Sequence, residues 1–424
     1  MRIGLNLTQF VPGRSGGVQT YVETLVRALV RYVPRHQYVL FVNHLTFPLF
    51  EDLRGTCEFV SADVHIPRLA RAAERVVRGA VFRAYARGLE ARMRAARLDV
   101  LHFPQNFMVP SRYPGRTLVT FHDLQQEYHP EFFDAAELRW RARNYRPSAR
   151  RATHLVAISH FTGRSLVERY GIDPAKVSVV HTAVDDELRG LAPPPVRGDQ
   201  GVPGRYFCYP AAFWPHKNHL RLFEAMARLR AREGFDLPLV LTGMDAGDAA
   251  PARSALARLG LEGQVRLLGY VPRPDFLRLL RGAEFMVFPS LFEGFGIPVA
   301  EAMAVGCPVA CARATSLPEL VGPRGLTFDP RRVEDIARAV SRLWKDQALR
   351  LRLAAEGGRR VERFTPQRMA MGTAVAYERA VAGIERARAA SSRRRYGRLA
   401  PVPVLVPAPA PRGDGGVPAT SHQG

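Results

Sequence analysis

The chain has 424 residues, of which 47% are hydrophobic, 24% charged and 9% aromatic. That is enough apolar material for two or three buried cores, and it rules out a wholly disordered chain. Lys plus Arg number 61 against 39 Asp plus Glu, a formal net charge of +22, so the partners to look for are anionic: phosphates, nucleic acid or an acidic membrane face. No apolar run reaches the ~18 residues of a membrane span. The four cysteines, Cys57, Cys208, Cys307 and Cys311, are too few for a disulfide scaffold and lack the CxxC spacing of a zinc site.

In chain order, Met1–Phe10 reads as a strand and lacks the basic head and long apolar stretch of a signal peptide. With the cysteine usage this predicts a cytoplasmic protein. Short buried strands rich in Val, Ile, Leu and Phe are expected at Ile3–Leu7, Tyr38–Val42, Val100–Phe103, Leu118–Phe121, Leu155–Ile158 and Val177–Val180. Helical patterns over Val18–Tyr32, Arg68–Arg97 and Phe161–Tyr170 lie between several of them. Leu191–Gly204 holds Pro193–Pro195 and four further Pro or Gly residues, which breaks any regular element and reads as a linker. Strands then resume at Tyr206–Tyr209, Leu239–Thr242, Val265–Leu268, Phe285–Phe288 and Val309–Ala312. Helices are expected at Leu220–Arg232, Ser254–Leu259, Asp275–Leu280 and Val299–Ala304. A long helical pattern, Pro366–Arg388, closes the folded part, and Ser391–Gly424, rich in Arg, Pro, Ala and Gly, is expected to be disordered.

Strand–helix alternation of this kind means a parallel, doubly wound sheet. The organisation is therefore α/β with two such domains: 1–190, a linker at 191–204, 205–365, a closing helix at 366–390 and a tail at 391–424. Ligands of such sheets bind beyond the carboxyl ends of the strands, which here face a cleft between the two domains.

Residues with chemistry cluster at those strand ends. After Phe288 comes Pro-Ser-Leu-Phe-Glu293-Gly294-Phe295-Gly296-Ile297-Pro-Val-Ala-Glu301. Glycines permit close approach of backbone to a ligand, proline suits the first turn of a helix, and the free N–H groups of a helix start attract an anion such as a diphosphate. Glu293 and Glu301 can accept hydrogen bonds from hydroxyls. Lys217, one of only three lysines (with Lys176 and Lys345), sits just before a predicted helix. His122 follows a strand, with Asp123 beside it to fix its tautomer or its loop. Gly16 and Gly17 lie between the first strand and the first helix. Neither a GxGxxG string nor a P-loop is present, which counts against dehydrogenase and ATPase readings.

The string from Glu293 to Glu301 resembles the Glu-x7-Glu signature of retaining glycosyltransferases of family 4, which have the GT-B architecture. Phe213-Trp-Pro-His-Lys-Asn-His219, Gly16-Gly17-Val18, Thr120-Phe-His-Asp-Leu124, Ala157–Thr162 and Leu267–Pro272 resemble further segments of that family in the same order, and the His-Asp-Leu segment is similar to that of its mannosyltransferases. The resemblance implies transfer of a hexose from a nucleoside diphosphate sugar, with GDP-mannose the first choice of donor and a UDP-sugar the next, to a glycan or lipid-linked glycan. It implies retention at the anomeric carbon, and neither a metal nor another cofactor. It assigns Lys217 to the diphosphate, Glu301 to the ribose, Glu293 with the Phe295–Ile297 backbone to the donor sugar, and His122 to the reacting centre. Gly16, Gly17, Gly243, Gly294 and Gly296 complete the donor site. Many relatives carry Arg where His216 stands, so half of the cationic clamp depends on the protonation of an imidazole.

Two basic clusters remain. Arg68–Arg97 holds nine arginines and two glutamates with apolar residues interspersed, and Arg139–Arg151 adds six arginines. A basic amphipathic helix suits an anionic membrane surface, which would place the protein peripherally on the inner membrane face; a plain solvated face is the other reading. A nucleic-acid-binding protein would also explain +22, but no recognition motif supports it. A catalytically inactive sugar-nucleotide binder is the third alternative.

Overall fold

A computed structural model describes residues 1–13, 16–63, 74–185, 188, 202, 204–243 and 249–393, with backbone alone for 74–81 and 383–393. Most of the expected linker at 191–204 and nearly all of the tail lie outside the described residues.

The first half is a seven-stranded parallel sheet in the order β3-β2-β1-β4-β5-β6-β7. Its strands are β1 (Arg2–Asn6), β2 (Gln37–Val42), β3 (Glu58–Ser61), β4 (Val100–Phe103), β5 (Thr117–Phe121), β6 (His154–Ala157) and β7 (Val177–Val179). β4, β5 and β6 are buried along their whole length, as strands covered by helices on both faces must be. Those helices are α1 (Gly16–Tyr32), α2 (Glu74–Ala95), α3 (Ala135–Arg151) and α4 (His160–Tyr170).

The second half is a six-stranded parallel sheet in the order β10-β9-β8-β11-β12-β13, from β8 (Phe207–Pro210), β9 (Leu239–Thr242), β10 (Val265–Leu267), β11 (Met286–Phe288), β12 (Val309–Ala312) and β13 (Leu326–Phe328). Its helices are α5 (His219–Glu233), α6 (Ala249–Arg258), α7 (Arg273–Gly282), α8 (Ile297–Ala304), α9 (Leu317–Val321), α10 (Val333–Lys345) and α11 (Gln347–Val361). In each sheet the strand order reverses beside the first strand, at β1/β4 and at β8/β11. Such reversals open a crevice at the carboxyl ends of the strands, and the two crevices face each other.

The last helix, α12 (Pro366–Arg393), returns to the first half and packs on α1 and across β4, β5 and β6. It runs beyond the expected end at 390 and takes in Ser391 and Ser392, which the sequence placed in the disordered tail. Small buried residues, Ala370, Ala374, Ala376 and Ala380, let it lie close to the sheet. One apolar cluster continues from the α1 face of the first sheet through Val180, Ala183 and Val184 into the whole second half. A second cluster, with Leu89, Met93, Phe103, Phe121 and Tyr170, fills the other face of the first sheet.

The sequence pattern missed the edge strands β3 and β13. β3 has exposed ends around a half-buried Phe59 and Val60, and β13 has only three residues, too little for an apolar run. Arg139–Arg151 is part of a helix, α3, opened by the Asp134 carboxylate accepting the Glu137 N–H at 2.7 Å. It buries only Tyr145, Ser148 and Ala149, so no apolar period betrays it. The pattern read over Arg68–Arg97 is helical in its described part from Glu74 to Ala95.

Candidate functional site

The first half contributes the ends of β1, β4 and β5. Gly16 and Gly17 are not a loop between strand and helix, as expected, but the first two residues of α1. Gly16 takes a positive φ of 43°, which glycine adopts at little cost. A Cβ on Gly17 would sit 3.4 Å from Ile297 Cδ1, so the tip of α1 lies against the tip of α8 across the cleft.

His122 follows β5 and is buried. Its Nε2 lies 3.0 Å from the Pro104 carbonyl. A carbonyl only accepts, so Nε2 carries the proton and Nδ1 keeps a lone pair. Burial pushes the imidazole below its ordinary pKa, which keeps it neutral. Pro104, not Asp123, fixes the tautomer; the Asp123 carboxylate instead accepts from Gln125 N–H at 3.1 Å and shapes the loop. The Tyr21 ring meets His122 edge-on, with centroids 4.7 Å apart. Tyr21 also begins a buried chain of polar contacts through Thr120 (3.2 Å) and His102 (2.8 Å) to Tyr377 of α12 (2.9 Å).

In the second half the loops after β8 and β11 are cross-linked. Leu291 N–H donates to the His216 carbonyl at 2.7 Å. Asn218, at φ 63°, donates its side-chain amide to the carbonyls of Pro289 (3.0 Å) and Pro330 (2.8 Å). This seats Lys217 opposite Glu293, with Nζ to Oε1 at 2.6 Å and both side chains less than a fifth exposed. The group expected to grip a diphosphate and the group expected to hold sugar hydroxyls are thus paired with each other. Glu301 is buried and receives Arg273 Nη1 at 2.5 Å. Burial pushes its carboxyl upward against the pull of Arg273.

His216 does not supply the second charge. Burial, then the adjacent Lys217, pushes its imidazole down to about 2, so it is neutral at ordinary pH. Gly243, at φ 144°, holds the loops after β8, β9 and β10 together: its N–H donates to the Gly269 carbonyl at 2.8 Å, and a Cβ would lie 2.5 Å from the Ala211 backbone. The Phe295 side chain is buried against Phe364, with centroids 5.4 Å apart. Gly296, at φ 103°, precedes the first turn of α8.

The halves meet at these same residues. A Cβ on Gly294 would fall 2.0 Å from the His122 carbonyl oxygen. The Thr162 hydroxyl lies 3.3 Å from that oxygen and 3.5 Å from the Gly294 carbonyl. Phe292, 2% exposed, is inserted among Tyr128, His129 and Phe161 of the first half, with centroids 5.6, 6.0 and 5.6 Å away. Glu319 of α9 accepts from the N–H groups of His160 (2.9 Å) and Phe161 (3.2 Å), at the start of α4, as a carboxylate at a helix N-terminus should.

Lys217, Glu293, Gly294, His122, Gly17 and Ile297 therefore form one connected group, Glu301 adjoins it through α8, and Gly243 stands apart with Gly269. Sequence reasoning missed Asn106, whose side-chain oxygen accepts from His122 N–H at 2.7 Å, and Arg273, Phe292 and Glu319. Phe292 lies inside the motif but reads as ordinary core, and the other three are single polar residues without a motif of their own. Among the described residues no group of three His, Cys, Asp or Glu could hold a metal ion, and no helix is long and apolar enough to cross a membrane. In α2, Leu89 and Met93 are spent on the core, while Phe82, 55% exposed, stands beside exposed Arg83.

Comparisons with known proteins agree in both halves. Residues 15–188 match the family model described as Glycosyltransferase Family 4, and residues 200–360 the one described as Glycosyl transferases group 1. O-antigen chain mannosyltransferase B of Escherichia coli is 28% identical over 284 residues, 66% of this chain and 74% of that protein. The MMP alpha-(1->4)-mannosyltransferase of Mycolicibacterium hassiacum is 32% identical over 241 residues, 56% of each chain, so this match spans about half of that relative. In structure the chain is similar to Anabaena HepE, solved in complex with UDP and glucose: TM-score 0.69, 19% identity, 89% of this chain and 99% of that one. Sucrose-phosphate synthase from Thermosynechococcus elongatus gives a TM-score of 0.68 at 19% identity, over 89% and 98% of the two chains.

Proposed function

The chain belongs to glycosyltransferase family 4 and is a hexosyltransferase of GT-B architecture, and we propose that it moves mannose from GDP-mannose, with retention and without a metal, to a glycan or lipid-linked glycan. The observation that carries this reading is the convergence of two helix tips, Gly16–Gly17 and Ile297, on the cleft that holds Lys217, Glu293 and His122.

The leaving diphosphate gains negative charge in the transition state, and preorganised cations and N–H groups in a water-poor cleft stabilise it. Lys217 and the starts of α1 and α8 are suited to that role. In this structure Lys217 is paired with Glu293. A diphosphate that takes over Lys217 leaves the Glu293 carboxylate free to accept from hydroxyls of the donor sugar. By the same exchange Glu301 turns to the ribose and releases Arg273, which is the second cation that His216 cannot supply. His122, neutral and with Nδ1 open, accepts from a sugar hydroxyl and fixes the anomeric carbon relative to the acceptor. Retention follows when the acceptor attacks the face that the diphosphate leaves. Glu293 and Glu301 need not act as a glycosidase pair.

The known mannosyltransferases among the relatives support mannose, and HepE with its UDP keeps a UDP-sugar as the next choice. For an acceptor carrying phosphate or embedded in an anionic bilayer, we assign the arginines of α2 as the surface that meets it. A thermal-shift screen against GDP, UDP, ADP and CDP tests the donor. At 100 times its dissociation constant the right nucleotide adds about 2.7 kcal/mol of stability. GDP should stand out, and GDP-mannose with EDTA present should still yield product with the α-linkage. Silence toward every nucleoside diphosphate, and no product from any sugar nucleotide, would overturn the proposal.

A further inference from the structure

β4 and β5 are neighbours whose register runs no further than Phe103 opposite Val119. Just beyond, Pro104 has no N–H to donate. Asn106 takes over. Its side-chain amide offers one acceptor and a donor, as a peptide group does, and it brackets the turn after β5. Oδ1 accepts from His122 N–H at 2.7 Å, and Nδ2 donates to the Asp123 carbonyl at 3.2 Å. Asn106 is itself 8% exposed, so water cannot readily substitute. Two residues earlier, the Pro104 carbonyl holds the His122 ring at Nε2. One segment, Pro104–Asn106, thus grips both the backbone and the ring of His122.

We propose that Asn106 is a positioning residue for the transfer step, holding His122 in a single tautomer and in a single direction toward the donor half. The proposal rests on the reading of His122 as the group beside the donor sugar. Without the amide, His122 N–H and the Asp123 carbonyl are left unpaired in a buried turn and must move to find partners. The ring then leaves Pro104, and the carbonyl on which Gly294 is seated shifts with it. A misplacement of about 1 Å at a reacting centre costs on the order of 100-fold in rate, while the donor contacts assigned to Lys217, Glu293, Glu301 and the starts of α1 and α8 stay in place.

The test uses the full chain with Asn106→Ala, Asn106→Asp and His122→Ala. Its readouts are Tm, steady-state kinetics with the active sugar nucleotide, and imidazole nitrogen NMR, with the His122 signal identified by its loss in His122→Ala. In the unsubstituted protein that signal should report the Nε2–H tautomer. Asn106→Ala should mix the tautomers and lower kcat about 100-fold at unchanged KM for the donor. Asn106→Asp keeps the acceptor for His122 N–H but not the donor to Asp123. It should lie between the two, and it carries the test if Asn106→Ala does not fold. An unchanged His122 signal in both Asn106 variants, with His122→Ala inactive, overturns the role of Asn106 alone. Full turnover in His122→Ala overturns the placement of His122 and the proposal with it. A rise in KM that matches the fall in kcat makes Asn106 a general structural residue and also overturns it.

Discussion

Lys217 and Glu293 sit 76 positions apart and are brought to 2.6 Å, part-buried. An ion pair of this kind is poor evidence of stability, because desolvation offsets most of its attraction. Under the proposed function its value is that both charges are already ordered where a diphosphate and a sugar would take them apart. Lys217→Ala should lower kcat/KM by about 100- to 1,000-fold, the loss typical of one preorganised donor. It should also lower Tm, because Glu293 is left charged and unpaired. Adding Glu293→Gln should restore Tm but not turnover. If the double variant recovers activity, Lys217 is a structural partner of Glu293 and not a ligand for the donor. The single lysine was legible from sequence because its motif surrounds it. The opposing charge of Arg273 was not, since one arginine among 58 carries no signal.

At the scale of elements, the strand-to-helix connection 289–296 does most of the positioning. It crosses to the other half at Gly294, where a Cβ would come within 2.0 Å of the His122 carbonyl oxygen, far inside contact distance and against backbone that no rotamer change can clear. Gly294→Ala should therefore leave the circular dichroism spectrum of the folded protein unchanged yet reduce turnover at least tenfold, the loss expected when reacting groups are held apart. Activity near that of the unsubstituted enzyme would mean that the halves do not need this contact during transfer. From sequence, Gly294 was expected to serve a ligand; the structure adds that it makes room for the partner half. The helices α10 and α11 were not among the expected elements either, although Ile336, Ala337, Val340 and Leu343 recur on one face of α10 and are buried; the edge strands β3 and β13 lacked any such pattern.

For the whole molecule, closure is made from protein contacts. Phe292 fills an aromatic socket of the first half and Glu319 caps α4 from the second. Removing a well-packed Phe side chain costs about 3–5 kcal/mol, and here most of that cost falls on the contact between the halves. Phe292→Ala should raise the radius of gyration measured by small-angle X-ray scattering, and saturating donor should reverse the change. An unchanged radius would show that the halves stay together without it. Acid offers a second test. Burial holds His102 at about 3, His154 at about 4 and His219 at about 3, whereas an unfolded histidine titrates near 6.5. Below that value the unfolded chain takes up protons that the folded one refuses. The stability is therefore complete above pH ~6.5 and declines as pH falls toward 4. Tm should drop steadily from pH 7 to 4.5, and a flat Tm would contradict burial of these neutral rings.

Two parallel sheets and the strand ends that carry chemistry were legible from residue types alone, because short apolar runs, glycines and a proline at a helix start act locally and leave a local trace. The rest came from long-range packing: that Lys217 faces Glu293, that Arg273 answers Glu301, that Pro104 and Asn106 hold His122, and that Gly294 seats one half on the other. Each of these joins residues far apart in the chain, where the energy lies in distance and desolvation and no local pattern of residue types records it.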